Sequence, residues 1–204
     1  MPTRFTLIRH GQTDWNVLGK WQGHAYIGLN QEGHRQAQQV AFALADTNAS
    51  LIYTSDLPRA RQTADYIADV VKIPVILDPR LREIDVGDWQ GLTAEEVDEW
   101  DAVRLAAVRA GGYKVRRPGG ESQEEVGLRM LNLLDEIQRT RTEEHILMVT
   151  HGGTIRITLM ALNLLNEWHS HIENTSRTVL TFALDESRWE IESFNVTSHL
   201  TAPA

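Results

Sequence analysis

Cysteine is absent from the 204-residue chain, which excludes disulfides, thiolate nucleophiles and cysteine-based zinc sites. Also missing is any apolar run approaching the roughly 20 residues that cross a bilayer. The N-terminus lacks the basic segment, apolar core and small-residue cleavage site of a signal peptide. These absences lead to the expectation of a cytoplasmic protein with no membrane partner. Positive charge is in deficit, since 20 Lys and Arg against 28 Asp and Glu give a formal net charge of −8, with a pI near 5.5. A general nucleic-acid binder needs a basic footprint to neutralise phosphates, so nucleic acid is not an expected partner. An anionic small ligand would need a locally positive pocket in an acidic molecule. No internal repeat, low-complexity tract or long linker divides the chain. With 42% hydrophobic residues, a chain of this length can bury one core, so a single domain over 1–204 is expected.

Against these absences stands one dense stretch, Leu7-Ile8-Arg9-His10-Gly11-Gln12-Thr13-Asp14-Trp15-Asn16. Phe5 to Ile8 is short, apolar and β-favouring, and Gly11 allows a turn where the backbone must approach a ligand. Open α/β sheets bind ligands at the carboxyl ends of their strands, which is where Arg9 and His10 fall. Arginine offers a planar fork to phosphate oxygens, and a neutral histidine can act as a nucleophile. Taken alone, Arg9-His10-Gly11 is more simply read as a surface ion pair and a histidine packed at a strand end.

Further along, Val17 to Asn30 is polar and glycine-punctuated and reads as a loop over the top of the sheet. Ala37, Val40, Ala41 and Leu44 recur at helical spacing, predicting an amphipathic helix over 31–46 with Asn30 as its cap. Leu51 to Thr54 reads as a strand. After it, Asp56 is placed as a helix cap and Pro58 in a first turn, so Arg59 lies at a helix N-terminus, where oriented backbone donors already favour anions. Val75 to Leu77 makes a third strand, and Leu81 to Gly91 an acidic loop containing Glu83. Thr93-x-x-Glu96 and Ser122-x-x-Glu125 are capping boxes, predicting helices from Ala94 to about Ala110 and from Gln123 to about Arg139. Val126, Met130, Leu133, Leu134 and Ile137 form a core stripe on the second. Between them Gly111 to Gly120 is a basic loop, and the segment 94–120 reads as a lid. Ile146 to Val149 fits a central strand buried on both faces, ending in Thr150-His151-Gly152-Gly153-Thr154-Ile155-Arg156. Thr178 to Ala183 and Arg188 to Asn195 close the chain as an antiparallel pair around Asp185-Glu186-Ser187. The order of elements predicts an α/β fold, a three-layer α/β/α sandwich with a mainly parallel mixed sheet.

The word around Arg9-His10-Gly11, the Arg59-Ala60…Thr63-Ala64 segment, Leu81-x-Glu83 and His151-Gly152-Gly153-Thr154 together resemble the histidine phosphatase superfamily, the phosphoglycerate-mutase-like proteins, over essentially the whole chain. The resemblance implies that His10 attacks phosphorus, that Arg9, Arg59 and His151 grip the phosphoryl oxygens, and that Glu83 is the proton donor. It also implies substrate contacts from Asn16, Gln22 and Gly152, and no metal or other cofactor. Ile84 to Gly91 looks like the phosphatase branch, implying a histidine acid phosphatase-type hydrolase of a small phosphorylated metabolite. Arg116-Arg117 before Pro118 is instead similar to the paired arginines with which mutases hold a carboxylate. A phosphoglycerate mutase, using 2,3-bisphosphoglycerate, is therefore the alternative, and a non-catalytic phosphate-binding module a third. Where many phosphatases carry an acidic residue and a proline, Gln22 to Leu29 has neither. His169-x-His171 is the one close histidine pair, read as loop rather than metal site. The six tryptophans leave two uses open, a homodimer interface or, for Trp15, Trp21 and Trp89, the pocket wall.

Overall fold

A computed structural model describes residues 3–110, 112–142, 144–165, 171–183 and 188–200. Its strands are β1 (Thr3–Arg9), β2 (Leu51–Thr54), β3 (Val75–Leu77), β4 (His145–Thr150), β5 (Arg177–Ala183) and β6 (Arg188–Val196). They form one sheet in the order β3-β2-β4-β1-β5-β6. β1, β2, β3 and β4 pair in parallel, while β5 runs antiparallel to both β1 and β6. The mixed, mainly parallel sheet is therefore made by one reversed strand near its end. Central β4 alternates Ile146 and Met148 toward one face with Leu147 and Val149 toward the other, all fully buried. β3 is an edge strand, and Val75, Ile76 and Leu77 stay partly exposed there.

The helices are α1 (Asp14–Val17), α2 (Gln31–Ala43), α3 (Pro58–Val71), α4 (Ala94–Arg109), α5 (Gln123–Thr140) and α6 (Gly152–Ala161). On one face, Met130, Leu133, Leu134 and Ile137 of α5 and Ile155 and Leu159 of α6 pack on Phe5, Leu7, Ile146 and Met148. On the other, Val40 and Ala41 of α2 and Ala60, Ala64 and Ile67 of α3 cover Ile8, Ile52, Leu147 and Val149. The result is the three-layer sandwich. A third cluster, around fully buried Trp89, joins Ile84 and Val86 to Val97, Leu105 and Val108 of α4 and to Val126 and Ile157.

The caps explain most helix starts. Asn30 accepts from Gly33 N–H, and both capping boxes form, with Thr93 and Glu96 exchanging bonds as do Ser122 and Glu125. Asp56 does not cap α3. Its carboxylate takes a bidentate pair from Arg82 at 2.7 and 2.5 Å, a stronger claim on both oxygens than a backbone amide can make. The amide of Leu57, at the N-cap, instead donates to Ser55 Oγ. α2 stops at Ala43, three residues short of the predicted end. Gly11 serves a different purpose from the expected ligand approach, because a Cβ there would sit 2.5 Å from Gly33 O, so it lets the nucleophile loop touch α2. The turn at 185–187 lies outside the described residues.

Candidate active site

Three parallel strands end side by side. β1 finishes at Arg9 and continues to His10, β4 finishes at Thr150 and continues to His151, and β2 leads through Ser55 to α3 and Arg59. Their register is direct, with Arg9 opposite Thr150 and Thr54 opposite Val149. Between these ends and α4 lies a cavity of about 300 Å³, walled by Arg9, His10, Asn16, Gln22, Arg59, Glu83, Arg117 and Arg156, and also by Lys20, Trp21, and Leu105 and Arg109 of α4.

His10 is buried, and its Nδ1 lies 2.7 Å from the carbonyl oxygen of Gly11. A carbonyl only accepts, so Nδ1 carries the proton and Nε2 keeps the lone pair. Burial, then the Arg59 and Arg9 charges, hold this imidazole well below its ordinary range, so the nucleophilic form is the neutral one. The backbone of His10 is fixed from three sides. Its N–H donates to Thr150 O, and its carbonyl accepts from Asn174 Nδ2 at 2.9 Å and, at 3.4 Å, from the Thr175 N–H that donates chiefly to Arg9 O at 3.0 Å.

Arg59 is fully buried and donates to Ala25 O and Gly23 O at 3.0 and 2.9 Å. The loop over 17–30 thus supplies carbonyls to a guanidinium, while its Nε has no partner among the described residues. Burial pulls its pKa down to about 10. Arg9 donates to Ile172 O, and Gly152 leaves it room, since a Cβ on that glycine would lie 3.3 Å from Arg9 Nε. Gly152 does not itself wall the cavity; Gly153 does. His151 sits directly behind the wall, fully buried, its ring centroid 5.1 Å from that of His10 at 59°. Burial, then Arg59 and His10, hold it well below the imidazole range.

Glu83 is anchored on the first turn of α6. Its Oε1 accepts from Ile84 N–H and Thr154 N–H, and its Oε2 from Gly153 N–H at 3.1 Å. The loop carrying it is tied down by Arg129, which donates to the carbonyls of Arg80 and Glu83 and to the Glu121 carboxylate. His24 adds a ring contact to Glu83 O at 2.9 Å, linking the unusual loop after Gln22 to the acid.

The two adjacent arginines part company. Arg116 is 65% exposed and pairs with Glu125, so it does not reach the cavity as expected. Arg117 is 5% exposed and walls the cavity, with burial lowering its pKa to about 10. Consecutive residues of an extended loop point to opposite sides, and here only the second points inward. Asn16 walls the cavity while its Oδ1 closes the Thr13 capping box. Gln22 presents a buried Oε1 without a partner among the described residues. Of the tryptophans, Trp21 walls the cavity, and Trp89 lies beneath it, ring centroids 5.2 Å apart. Trp15 does not line it; its ring lies against Gly91. Sequence reasoning missed Arg156, Ser55, Gly153 and Asn174. Arg156 had a signal in its position one turn beyond the His151-Gly152 start of a helix; Asn174 had none. His169 lies outside the described residues, and His171 is a largely exposed residue beside Glu173.

A histidine with a free Nε2 lone pair, set among buried arginines at the carboxyl ends of a mainly parallel sheet, defines a phosphate-handling α/β enzyme. The chain belongs to the histidine phosphatase superfamily (branch 1), whose sequence model it matches over residues 5–197. It is 35% identical over 209 residues to a probable phosphoglycerate mutase of Yersinia enterocolitica, covering 97% of this chain and 95% of that protein. It is 32% identical to a metal-independent phosphoserine phosphatase of Arabidopsis thaliana, covering 98% and 84%. Among solved structures, a mycobacterial glucosyl-3-phosphoglycerate phosphatase superposes with a TM-score of 0.86 at 33% identity, covering 96% and 100%. A phosphoserine phosphatase from Entamoeba histolytica, in complex with 3-phosphoglyceric acid, gives 0.87 at 32%, covering 98% and 100%. The protein is an enzyme of this superfamily, of the phosphatase or mutase kind. No helix among the described residues is long and apolar enough to cross a membrane.

Proposed function

We propose that this protein is a cytoplasmic, cofactor-independent phosphomonoester hydrolase of the histidine acid phosphatase type, working through a phosphohistidine on a small phosphorylated metabolite. The observation that carries the reading is the Nδ1 bond from His10 to Gly11 O, which leaves Nε2 unprotonated among Arg9 and Arg59. Nε2 attacks phosphorus, the ester P–O bond breaks, and the electron pair leaves on the alcohol oxygen. Glu83 in its acid form gives that oxygen a proton. Oε1 already takes two backbone hydrogen bonds and Oε2 one, the Thr154 hydroxyl giving its single proton to the nearer Arg82 O, so Oε2 is the oxygen with capacity for the transferred proton. As carboxylate, Glu83 then takes a proton from the water that attacks the phosphohistidine. The P–N bond breaks and neutral His10 returns. Arg9, Arg59 and His151 spread the charge that develops on the equatorial oxygens.

The cavity's charge bears on the substrate. Among the described residues, Arg9, Lys20, Arg59, Arg109 and Arg117 share the cavity wall with one carboxylate, Glu83. A phosphate dianion offsets only two of these charges, and buried cations favour further anionic partners. The substrate accordingly carries a second anionic group, held by Arg117.

The test is phosphate release from a panel of monoesters by the wild type and His10→Ala, with an acid-labile phosphoenzyme sought in rapid quench. Release and phosphoenzyme should both vanish in the variant; unchanged release would overturn the mechanism. A phosphoglycerate mutase is the second reading, favoured by the name of the Yersinia relative. Rapid interconversion of 3- and 2-phosphoglycerate that requires 2,3-bisphosphoglycerate, with little free phosphate, would establish it.

A further inference from the structure

Ser55 lies at the turn between β2 and α3, fully buried and outside the cavity wall, and no part of the reaction just described uses it. Its Oγ is 2.9 Å from His151 Nε2 and 3.3 Å from the amide nitrogen of Leu57. We infer that Ser55 is a positioning residue that fixes the tautomer of His151, so that His151 presents Nδ1–H to the transferring phosphoryl group. The inference rests on the phosphohistidine reading for its consequence, but the tautomer itself belongs to the resting protein.

The assignment follows from counting protons. A serine hydroxyl has one proton and two lone pairs. The Leu57 amide is a donor and occupies a lone pair. Among the described residues the remaining neighbour of Ser55 Oγ within hydrogen-bond reach is His151 Nε2. If Nε2 carried the ring proton, two donors would face the serine, its own proton would be buried with no acceptor, and the buried Nδ1 lone pair would be unpaired as well, two orphans against the single Nδ1 N–H of the other tautomer. With the proton on Nδ1, the chain Leu57 N–H to Ser55 Oγ, then Ser55 O–H to His151 Nε2, satisfies every group in it.

What this leaves over is at the other ring nitrogen. His151 Nδ1 is buried and has no partner among the described residues, on a ring whose centroid lies 5.1 Å from that of the nucleophile, tilted at 59°. An unsatisfied N–H there requires an acceptor, and a phosphoryl oxygen on His10 supplies one. The opposite tautomer would turn a lone pair toward the same oxygen and convert attraction into repulsion. Ser55 thus decides whether the second histidine is a donor or an acceptor, without touching substrate.

The experiment is long-range ¹H–¹⁵N correlation of the histidine side chains in the full-length resting protein near pH 7.5, with His151 assigned by comparison with His151→Gln. The wild type should show His151 protonated at Nδ1, with that signal shifting when orthovanadate is added. Ser55→Ala should redistribute the proton onto Nε2 and lower kcat/KM by about 10²-fold, the loss typical of one misdirected transition-state donor. Ser55→Thr, which keeps the hydroxyl, should restore both. Protonation at Nε2 in the wild type, an Nδ1 signal indifferent to orthovanadate, or Ser55→Ala with unchanged tautomer and rate would each overturn the inference. The wild-type spectrum needs neither a folded variant nor turnover. It therefore fails or succeeds separately from the hydrolase assignment.

Discussion

Gly153 shows how tightly the acid is built in, because a Cβ at this position would lie 2.5 Å from Glu83 Oε1. Gly153→Ala must push the carboxyl off the first turn of α6. A general acid contributes about 10² to 10⁴ in rate, so kcat should fall at least about 10²-fold. The fold should hold, as the displaced atoms are the end of a side chain. Steady-state kinetics beside a thermal melt checks this; a kcat within twofold of wild type would show that Glu83 works from elsewhere. The arginine pair makes a second contrast. Arg117→Ala removes a buried cation from the wall and Arg116→Ala an exposed one paired with Glu125. A hydrogen bond to a charged group contributes roughly 1.5–3 kcal/mol. Arg117→Ala should therefore raise KM at least about tenfold more for a carboxylate-bearing ester than for phenyl phosphate, while Arg116→Ala treats the two alike. Equal effects of both variants on both esters would remove the second anionic group from the proposed substrate.

At the scale of elements, α4 is the least regular helix. Its capping box starts it as the sequence predicts, yet Asp101 sits at φ −139°, ψ 46°, which breaks α4 into two segments. At the break, Asp101 Oδ2 accepts from the indole N–H of Trp89 at 3.1 Å. Trp89 also fills the cluster that backs Ile84, Val86, Leu105 and Val108, four residues of the cavity wall. Trp89→Ala should cost about 3–5 kcal/mol in urea unfolding and raise KM by loosening that wall; a loss under about 1 kcal/mol would mean α4 does not share the core's stability. Local chemistry in this protein was legible in the sequence. The strands, Asn30 and the two capping boxes depend on neighbours within four residues, while the grouping of Arg9, His10, Arg59, Glu83 and His151 came from the resemblance to the superfamily rather than from the residues taken singly. Illegible were the features decided through space. Asp56 looks like a cap until Arg82 reaches it, and Arg116 and Arg117 are equivalent until the loop chooses a side. Asn174 holds the nucleophile's carbonyl from 164 residues away, a separation at which spacing carries no signal.

The whole molecule combines a net charge of −8 with a cationic cavity, and it keeps several histidines neutral by burying them. His10 and His151 are held well below the ordinary imidazole range. His145 and His199 are pulled to about 4 by burial, with Arg4 beside the first and Arg177 beside the second. In the unfolded chain all four titrate near pH 6.5. Between that value and each folded value the unfolded state binds more protons than the native one, so stability falls as pH drops. The loss begins near pH 6.5, continues to about pH 4 for His145 and His199, and goes lower for the active-site pair. Carboxylates lowered by ion pairs, such as Asp56 against Arg82, subtract stability chiefly below their unfolded values near 4. The interval from pH 6.5 to 4.5 therefore isolates the histidines. Calorimetric melting should be flat above about pH 7 and fall by about 5 °C or more by pH 5, with His145→Gln showing a shallower slope because one proton-linked site is gone. Orthovanadate, which binds the folded site alone, should raise the melting temperature across the range without changing the slope assigned to His145 and His199, since those two lie outside the cavity wall. A melting temperature unchanged between pH 7 and 5 would mean that these imidazoles titrate normally in the native state. The neutrality of His10, which rests on the same burial, would then lose its physical basis.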